Sequence, residues 1–382
     1  MSRASSGTVT LRTEVARPTA GERGLALALG SAAVVVAFAA FANAAAGERV
    51  GVPVRVAPPV AGPPRSIAAA GDSFNTGFAA LPKSGDNPDL SWSTGDSADV
   101  ASVYSRLAAL SPGLRHRRLL VARDGSKASD LPGQFLRAAA FHADLVTVQS
   151  GGNDVCSARD QSHVTPVASF RHSVEAAFEI ARERMPDARI FVTSLTDEAR
   201  WNDRSVTIPG NDSKLSDGTL CDPQLDANGV QSPAARRQIQ AAEQRYNAIL
   251  RDVCSSDVHC RYDGGAFFRL DYDRADVAPT DAFHPSVRGL RRMAATAWRA
   301  GFDFSDSTPP RVSASTRPSG STLRVALKAR DAAGVAGFEC RFGSAPYTAC
   351  PRPLVLLHGA RVTYRAVDRN GNASAAYLIV AP

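Results

Sequence analysis

Two apolar runs of the same design constrain this chain most. Residues 67–70 lead into Gly71-Asp72-Ser73 and a turn closed by Gly77, while Leu145 to Val148 lead into Ser150-Gly151-Gly152-Asn153-Asp154. A short apolar run bounded by turn residues reads as a buried strand. Helical spacing follows each: Val100, Val103, Leu107 and Leu110 after the first, then Val167, Phe170, Val174, Phe178, Ala181 and Met185 after the second, closed by Pro186. Further strands are expected at Leu119 to Ala122, Arg189 to Ser194 and around Arg261 and Tyr262. Further helices are expected from Ser129 to Phe141, along Ile239 to Val253 and from Pro285 to Ala300. Alternation of this kind calls for right-handed crossovers and a parallel sheet covered on both faces. The fold expected over residues 66–305 is therefore α/β, a three-layer α/β/α sandwich.

After Asp306 the pattern changes. A Thr-Pro-Pro hinge leads into short alternating runs such as Leu323 to Leu327 and Val362 to Ala366, so residues 309–382 read as a small all-β sandwich. Asp368, Asn370 and Asn372 mimic the start of a calcium-binding loop, but Ala373 and Ile379 replace its glycine and its final glutamate, which favours a hairpin turn. Between Thr196 and Gln231 periodicity lapses, and this stretch is expected to be a disulfide-tethered loop over the site, with Trp201 either touching substrate or anchoring the packing.

At the other end, Gly24 to Gly47 carry no charge and follow four arginines, so residues 1–46 read as a signal peptide or an N-terminal membrane anchor. Residues 47–65, rich in proline, read as a stiff linker. Export makes disulfides the expected state of the six cysteines. Cys254 and Cys260 flank a short polar loop and Cys340 and Cys350 a hairpin, which leaves Cys156 with Cys221; a zinc site is the alternative. The net charge of +7 comes from scattered arginines without a basic block, so nucleic acid is not an expected partner. A solvated basic surface is the plainer reading, and attraction to a membrane or cell-wall surface the weaker one. The histidines at 116, 142, 163, 172, 259 and 358 have no ligand-like spacing and read as surface or capping residues.

Ser73 stands just past the carboxyl end of the first strand, where open α/β sheets place their ligands. A serine becomes a nucleophile only when a base takes its proton, and the base needs a carboxylate to orient it. Asp281-Ala282-Phe283-His284, just before the last expected helix, supplies both groups three residues apart. No Gly-x-Ser-x-Gly elbow occurs, which argues against an ordinary α/β-hydrolase.

Gly71-Asp72-Ser73, the glycine of Arg123-Asp124-Gly125-Ser126, Gly151-x-Asn153-Asp154 and Asp281-x-x-His284 occur in the order of the four blocks of the SGNH hydrolases, or GDSL esterases and lipases. The resemblance covers about residues 67–304. It implies Ser73 as nucleophile, His284 as base, Asp281 as its partner, and the amides of Ser73, Gly125 and the Asn153 side chain as an oxyanion hole, with no metal or cofactor. Residues 151–156 and 281–286 look most like phospholipase B-like and secreted lipase-like members, although Phe74 and Asn75 stand where Leu and Thr are frequent. Residues 337–340, 349–351 and 366–372 resemble bacterial immunoglobulin-like repeats.

The expected function is that of an exported serine ester hydrolase acting on lipid or other acyl esters, secreted or anchored on the outer face of the cytoplasmic membrane. The alternatives are a carbohydrate O-deacetylase and a non-catalytic surface-binding protein. All four blocks precede residue 309, so the all-β region is expected to be dispensable for turnover of a small ester.

Overall fold

The computed structural model describes residues 51–156, 163–205, 221 and 232–382. The expected signal or anchor, the first residues of the linker and most of the 196–231 stretch lie outside the described residues. No described helix is long and apolar enough to cross a membrane.

Behind a first strand, β1 (Val54–Ala57), the strands β2 (Ile67–Gly71), β3 (Arg118–Leu120), β4 (Leu145–Gln149), β5 (Arg189–Val192) and β6 (Cys260–Tyr262) form a parallel sheet in the order β3-β2-β4-β5-β6. Every residue of β2, β4 and β5 is buried, as central strands of a doubly covered sheet must be. Strand alternation divides them between two cores. Ala68, Ala70, Val146, Val148, Ile190 and Val192 face one side; Ile67, Leu145 and Phe191 face the other.

The helices follow the strands. α1 (Ser73–Thr76) is one turn, and α2 (Val103–Leu110) comes before β3. After β3 come α3 (Leu131–Ala140), the short α4 (Gly152–Cys156) and α5 (Val167–Arg184), then α6 (Glu198–Ser205), α7 (Pro233–Ser255) and α8 (Val287–Ala300). α3, α5 and α7 pack on the first face, α2 and α8 on the second. Serine caps start α2, α7 and α8, where Ser102, Ser232 and Ser286 accept from the amides of Ser105, Ala235 and Gly289.

Boundaries shift for local reasons. β3 ends at Leu120 because the amides of Val121 and Ala122 both turn onto the Ala69 carbonyl. α3 starts at Leu131, after a 3-10 turn over Ala128–Asp130. The Cys156–Cys221 disulfide supplies the tether expected for the 196–231 stretch, while α6 corrects the expectation of a loop at its first residues. Trp201 on α6 is 1% exposed, a packing anchor.

Seven more strands build the all-β region: β7 (Arg311–Ser319), β8 (Thr322–Arg330), β9 (Val335–Phe342), β10 (Thr348–Ala349), β11 (Leu354–Leu357), β12 (Arg361–Asp368) and β13 (Ala376–Val380). Two antiparallel sheets result, β1-β13-β12-β9-β10 and β11-β8-β7, around a core that includes Leu323, Leu356, Val362, Tyr364 and Ile379. The Pro-rich stretch is thus more than a linker: Val54 and Arg55 pair with Leu378 and Tyr377, and Val60 bridges to Ala373. An edge position tolerates the flanking prolines because one row of its amides is not needed for pairing. In the Asp368 turn the carboxylate accepts from the amides of Asn370 and Asn372 and from the Asn372 side chain, with Asp306 and Asp331 close by.

The two halves share buried polar contacts. The Arg189 guanidinium donates to the Gly62 carbonyl and to Asn372 Oδ1. His259, expected at the surface, is 1% exposed, with Nε2 3.1 Å from Glu339. Arg365 reaches the same carboxylate at 2.7 Å and Asp187 at 2.6 Å. Burial would raise the Glu339 pKa, yet His259 and Arg365 hold it below the usual range. Removing residues 309–382 would leave Arg189 and His259 with partners missing, a destabilising change for buried polar groups. The dispensability expected from the motif positions therefore does not extend to stability. Disulfides join Cys156 to Cys221, Cys254 to Cys260 and Cys340 to Cys350, and no cysteine is free.

Candidate active site

Glycine is required where β2 ends. Gly71 has φ of +133°, and a Cβ there would lie 1.8 Å from the Gln149 carbonyl oxygen on β4. The Gln134 side chain clamps the same residue, accepting from its amide at 2.6 Å and donating to its carbonyl at 2.9 Å. Asp72 then caps α1 by accepting from the Phe74 amide at 3.1 Å. Ser73 is consequently the first residue of a helical turn, and its own amide has no acceptor within that turn.

The second and third stretches meet beside it. Asn153 Nδ2 donates to the Ser126 carbonyl at 3.0 Å, and Asp154 Oδ2 accepts from the Ala128 amide at 2.9 Å, so α4 is tied to the loop that carries Gly125. Gly125 has φ of +67°, a left-handed turn conformation natural to glycine. Thr76 holds the loop from the other side through Asp124 at 3.1 Å.

The fourth stretch forms a tight turn in which the non-glycine Ala282 has φ of +59°. Asp281 closes it: Oδ1 accepts from the amides of Phe283 and His284, both at 3.0 Å, and Oδ2 lies 2.6 Å from His284 Nδ1. Burial would raise the Asp281 pKa, but the bond and charge of His284 with the two amides keep it below the usual carboxylate range. Phe74 links this turn to the serine turn, its ring centroid 5.8 Å from that of His284 and 5.4 Å from that of Trp201. Trp201 in turn donates from its indole to the Phe283 carbonyl. The serine turn, the glycine loop, the asparagine helix and the Asp-His turn are thus connected by contacts that run directly between them or through Phe74.

Sequence reasoning missed Gln134, Gln149 and Glu198. The first two lie on an ordinary helix and strand, and Gln149 receives the Trp92 indole N–H at 3.0 Å. Glu198 lies where periodicity was absent. It is 3% exposed, and burial, then the negative charges of Asp72 and Asp197, push its pKa up to about 8. Burial likewise raises Asp72 to about 7 and Asp124 to about 6.

The Glu198 shift has a consequence for stability. Its folded pKa of about 8 lies above the ordinary 4.5, so its contribution is fully favourable below the ordinary value and is lost as pH rises through about 8. Glu198→Gln carries no such titration. Between about pH 5 and about pH 9 the variant is expected to gain several degrees of melting temperature relative to wild type. A difference that stays constant across that range, measured by thermal melts in matched buffers, would contradict the buried, uncompensated carboxyl.

A family model described as the GDSL-like lipase/acylhydrolase family matches residues 69–292. Among solved structures the chain is similar to a protein described as a GDSL-like lipase from Parabacteroides merdae, at 14% identity over 62% of this chain and 94% of that one, TM-score 0.40. It is similar also to a catalytic mutant of an acetylxylan esterase from Geobacillus stearothermophilus, at 17% identity over 67% of this chain and 100% of that one, TM-score 0.41. A further similarity is to an acetyl xylan esterase at 13% identity, covering 62% and 98%, TM-score 0.37. No curated protein matches the chain.

Proposed function

Because this chain belongs to the GDSL-like lipase/acylhydrolase family, we propose that it is an exported serine ester hydrolase that cleaves carboxylic esters through an acyl-enzyme on Ser73. The observation that carries this reading is the 2.6 Å bond between His284 Nδ1 and Asp281, held one aromatic ring from the serine turn. With Nδ1 committed to the carboxylate, Nε2 is the ring nitrogen left to take the Ser73 proton. Ser73 Oγ attacks the ester carbonyl, and the new oxyanion is met by the amides of Ser73 and Gly125 and by the Asn153 side chain. The tetrahedral intermediate collapses as His284 returns the proton to the departing alcohol. Water, activated by the same nitrogen, then releases the acid.

Export is part of the proposal. Three disulfides with no free thiol suit an oxidising compartment, and the uncharged segment 24–47 suits a signal or an anchor that places the enzyme outside the cytoplasmic membrane. The purified protein is expected to hydrolyse p-nitrophenyl esters, with the acyl-length optimum read from a series of increasing chain length; failure on every member would refute the reading.

Asn153 separates a catalytic from a merely structural site. Losing one preorganised oxyanion donor lowers kcat by about 10²- to 10³-fold with little change in KM, since the charge it meets exists only in the transition state. Losing only the bond to Ser126 costs about 1 kcal/mol and spares kcat. For Asn153→Ala the first pattern is expected. A lowered melting temperature with normal kcat, both measured on one preparation, would remove Asn153 from the oxyanion hole.

A further inference from the structure

The cleft beside Ser73 encloses about 370 Å³, open solvent at its mouth included. Its wall carries two carboxyl groups, Asp72 and Glu198, and no basic side chain among the described residues. Asp72 is engaged by the Phe74 amide. Glu198 is different: its Oε2 is buried and lacks a hydrogen-bond partner among the described residues. Nearby charges do not relieve it. Arg200 is paired with Asp197 at 2.8 Å, and Glu243 accepts from the Glu198 amide at 3.1 Å and has no partner for its own Oε2 among the described residues.

Gly152 makes the room. Its φ is not in the left-handed region, so the backbone does not demand glycine there. A Cβ at that position would instead stand 3.3 Å from Glu198 Oε1 and 3.9 Å from Asp72 Oδ2, and Gly152 lines the cleft with both carboxyls. A carboxyl that is buried and unpartnered leaves a polar group unsatisfied when an alkyl chain lies against it. With its pKa pushed up to about 8 by burial and by the charges of Asp72 and Asp197, Glu198 is largely protonated at neutral pH and both donates and accepts. That combination matches a hydroxyl, which also does both, rather than a cation.

We infer that Glu198, uncovered by Gly152, is a specificity-determining subsite that binds a hydroxyl of the substrate, so that the enzyme favours esters of hydroxylated compounds, such as polyols and sugars or hydroxy acids, over plain alkyl esters. The inference rests on the serine esterase reading and narrows it.

The experiment compares kcat/KM within two matched pairs. p-Nitrophenyl butyrate against p-nitrophenyl 3-hydroxybutyrate reads the acyl side, and propyl butyrate against 2,3-dihydroxypropyl butyrate reads the alcohol side, with choline butyrate as a cationic comparison. Wild type is expected to prefer the hydroxylated member of one pair by about tenfold or more, the discrimination one satisfied buried hydrogen bond provides. The preference is expected to fall toward unity in Glu198→Leu, to survive in part in Glu198→Gln, whose amide also donates and accepts, and to weaken in Gly152→Ala. Equal rates within both pairs for wild type, a preference undiminished in the folded variants, or choline butyrate as the best substrate would overturn it. Hydrolysis without discrimination overturns the inference alone; no hydrolysis of any ester overturns the esterase reading with it.

Discussion

Ser73→Ala is expected to abolish ester hydrolysis, lowering kcat by about 10⁶-fold while the melting temperature stays near wild type. Ser73 is 7% exposed, and its hydroxyl makes no hydrogen bond among the described residues, so its loss removes the nucleophile without removing a structural contact. The turn that presents it is built by Gly71, Gln134 and the Asp72 cap, none of which the substitution touches. His284→Ala is expected to lose about as much, and the double variant little more than either alone, because nucleophile and base act as one unit. Steady-state kinetics on all three variants with a p-nitrophenyl ester provides the check. Additive losses, or turnover retained in pure Ser73→Ala, would place the chemistry elsewhere.

Asp281→Asn is the second large effect, a fall in kcat of about 10⁴-fold. The asparagine oxygen can still accept from the amides of Phe283 and His284, which hold the turn at 3.0 Å each, so the fold is expected to persist. What changes is the atom facing His284 Nδ1. An amide nitrogen in place of the Oδ2 now 2.6 Å away donates where the carboxylate accepted, which puts the ring proton on Nε2 and leaves the serine without a base. A loss below about tenfold at normal melting temperature would show that Asp281 shapes the turn but does not orient the imidazole.

Much of this site was legible because it is built at strand ends. Strands buried at every residue, such as Ile67–Gly71 and Leu145–Gln149, are continuous apolar runs in sequence, and the turns that follow need glycine for reasons of close approach, as the 1.8 Å clash at Gly71 shows. The Asp281–His284 pairing was readable because its partners are three residues apart on one turn. Strand β1 was hidden by its brevity, the prolines on either side of it and a partner strand at the far end of the chain, where no local pattern reports pairing. Glu198 was hidden because the helix it shares with Trp201 is short and that helix is buried by distant residues, Phe74 and Tyr272 among them. His259 looked like a surface residue for the same reason: its partner, Glu339, belongs to the other half of the molecule.

The central claim is that Ser73 is a serine activated by His284, and a fluorophosphonate reports this directly because it bonds covalently to an activated serine oxygen. The purified protein is incubated with the probe, its intact mass is measured, and the adduct is located by peptide mapping. One adduct per chain on the peptide containing Ser73, absent from Ser73→Ala and strongly slowed in His284→Ala, is the expected result. No adduct on a folded protein, or an adduct on a different serine, would contradict it.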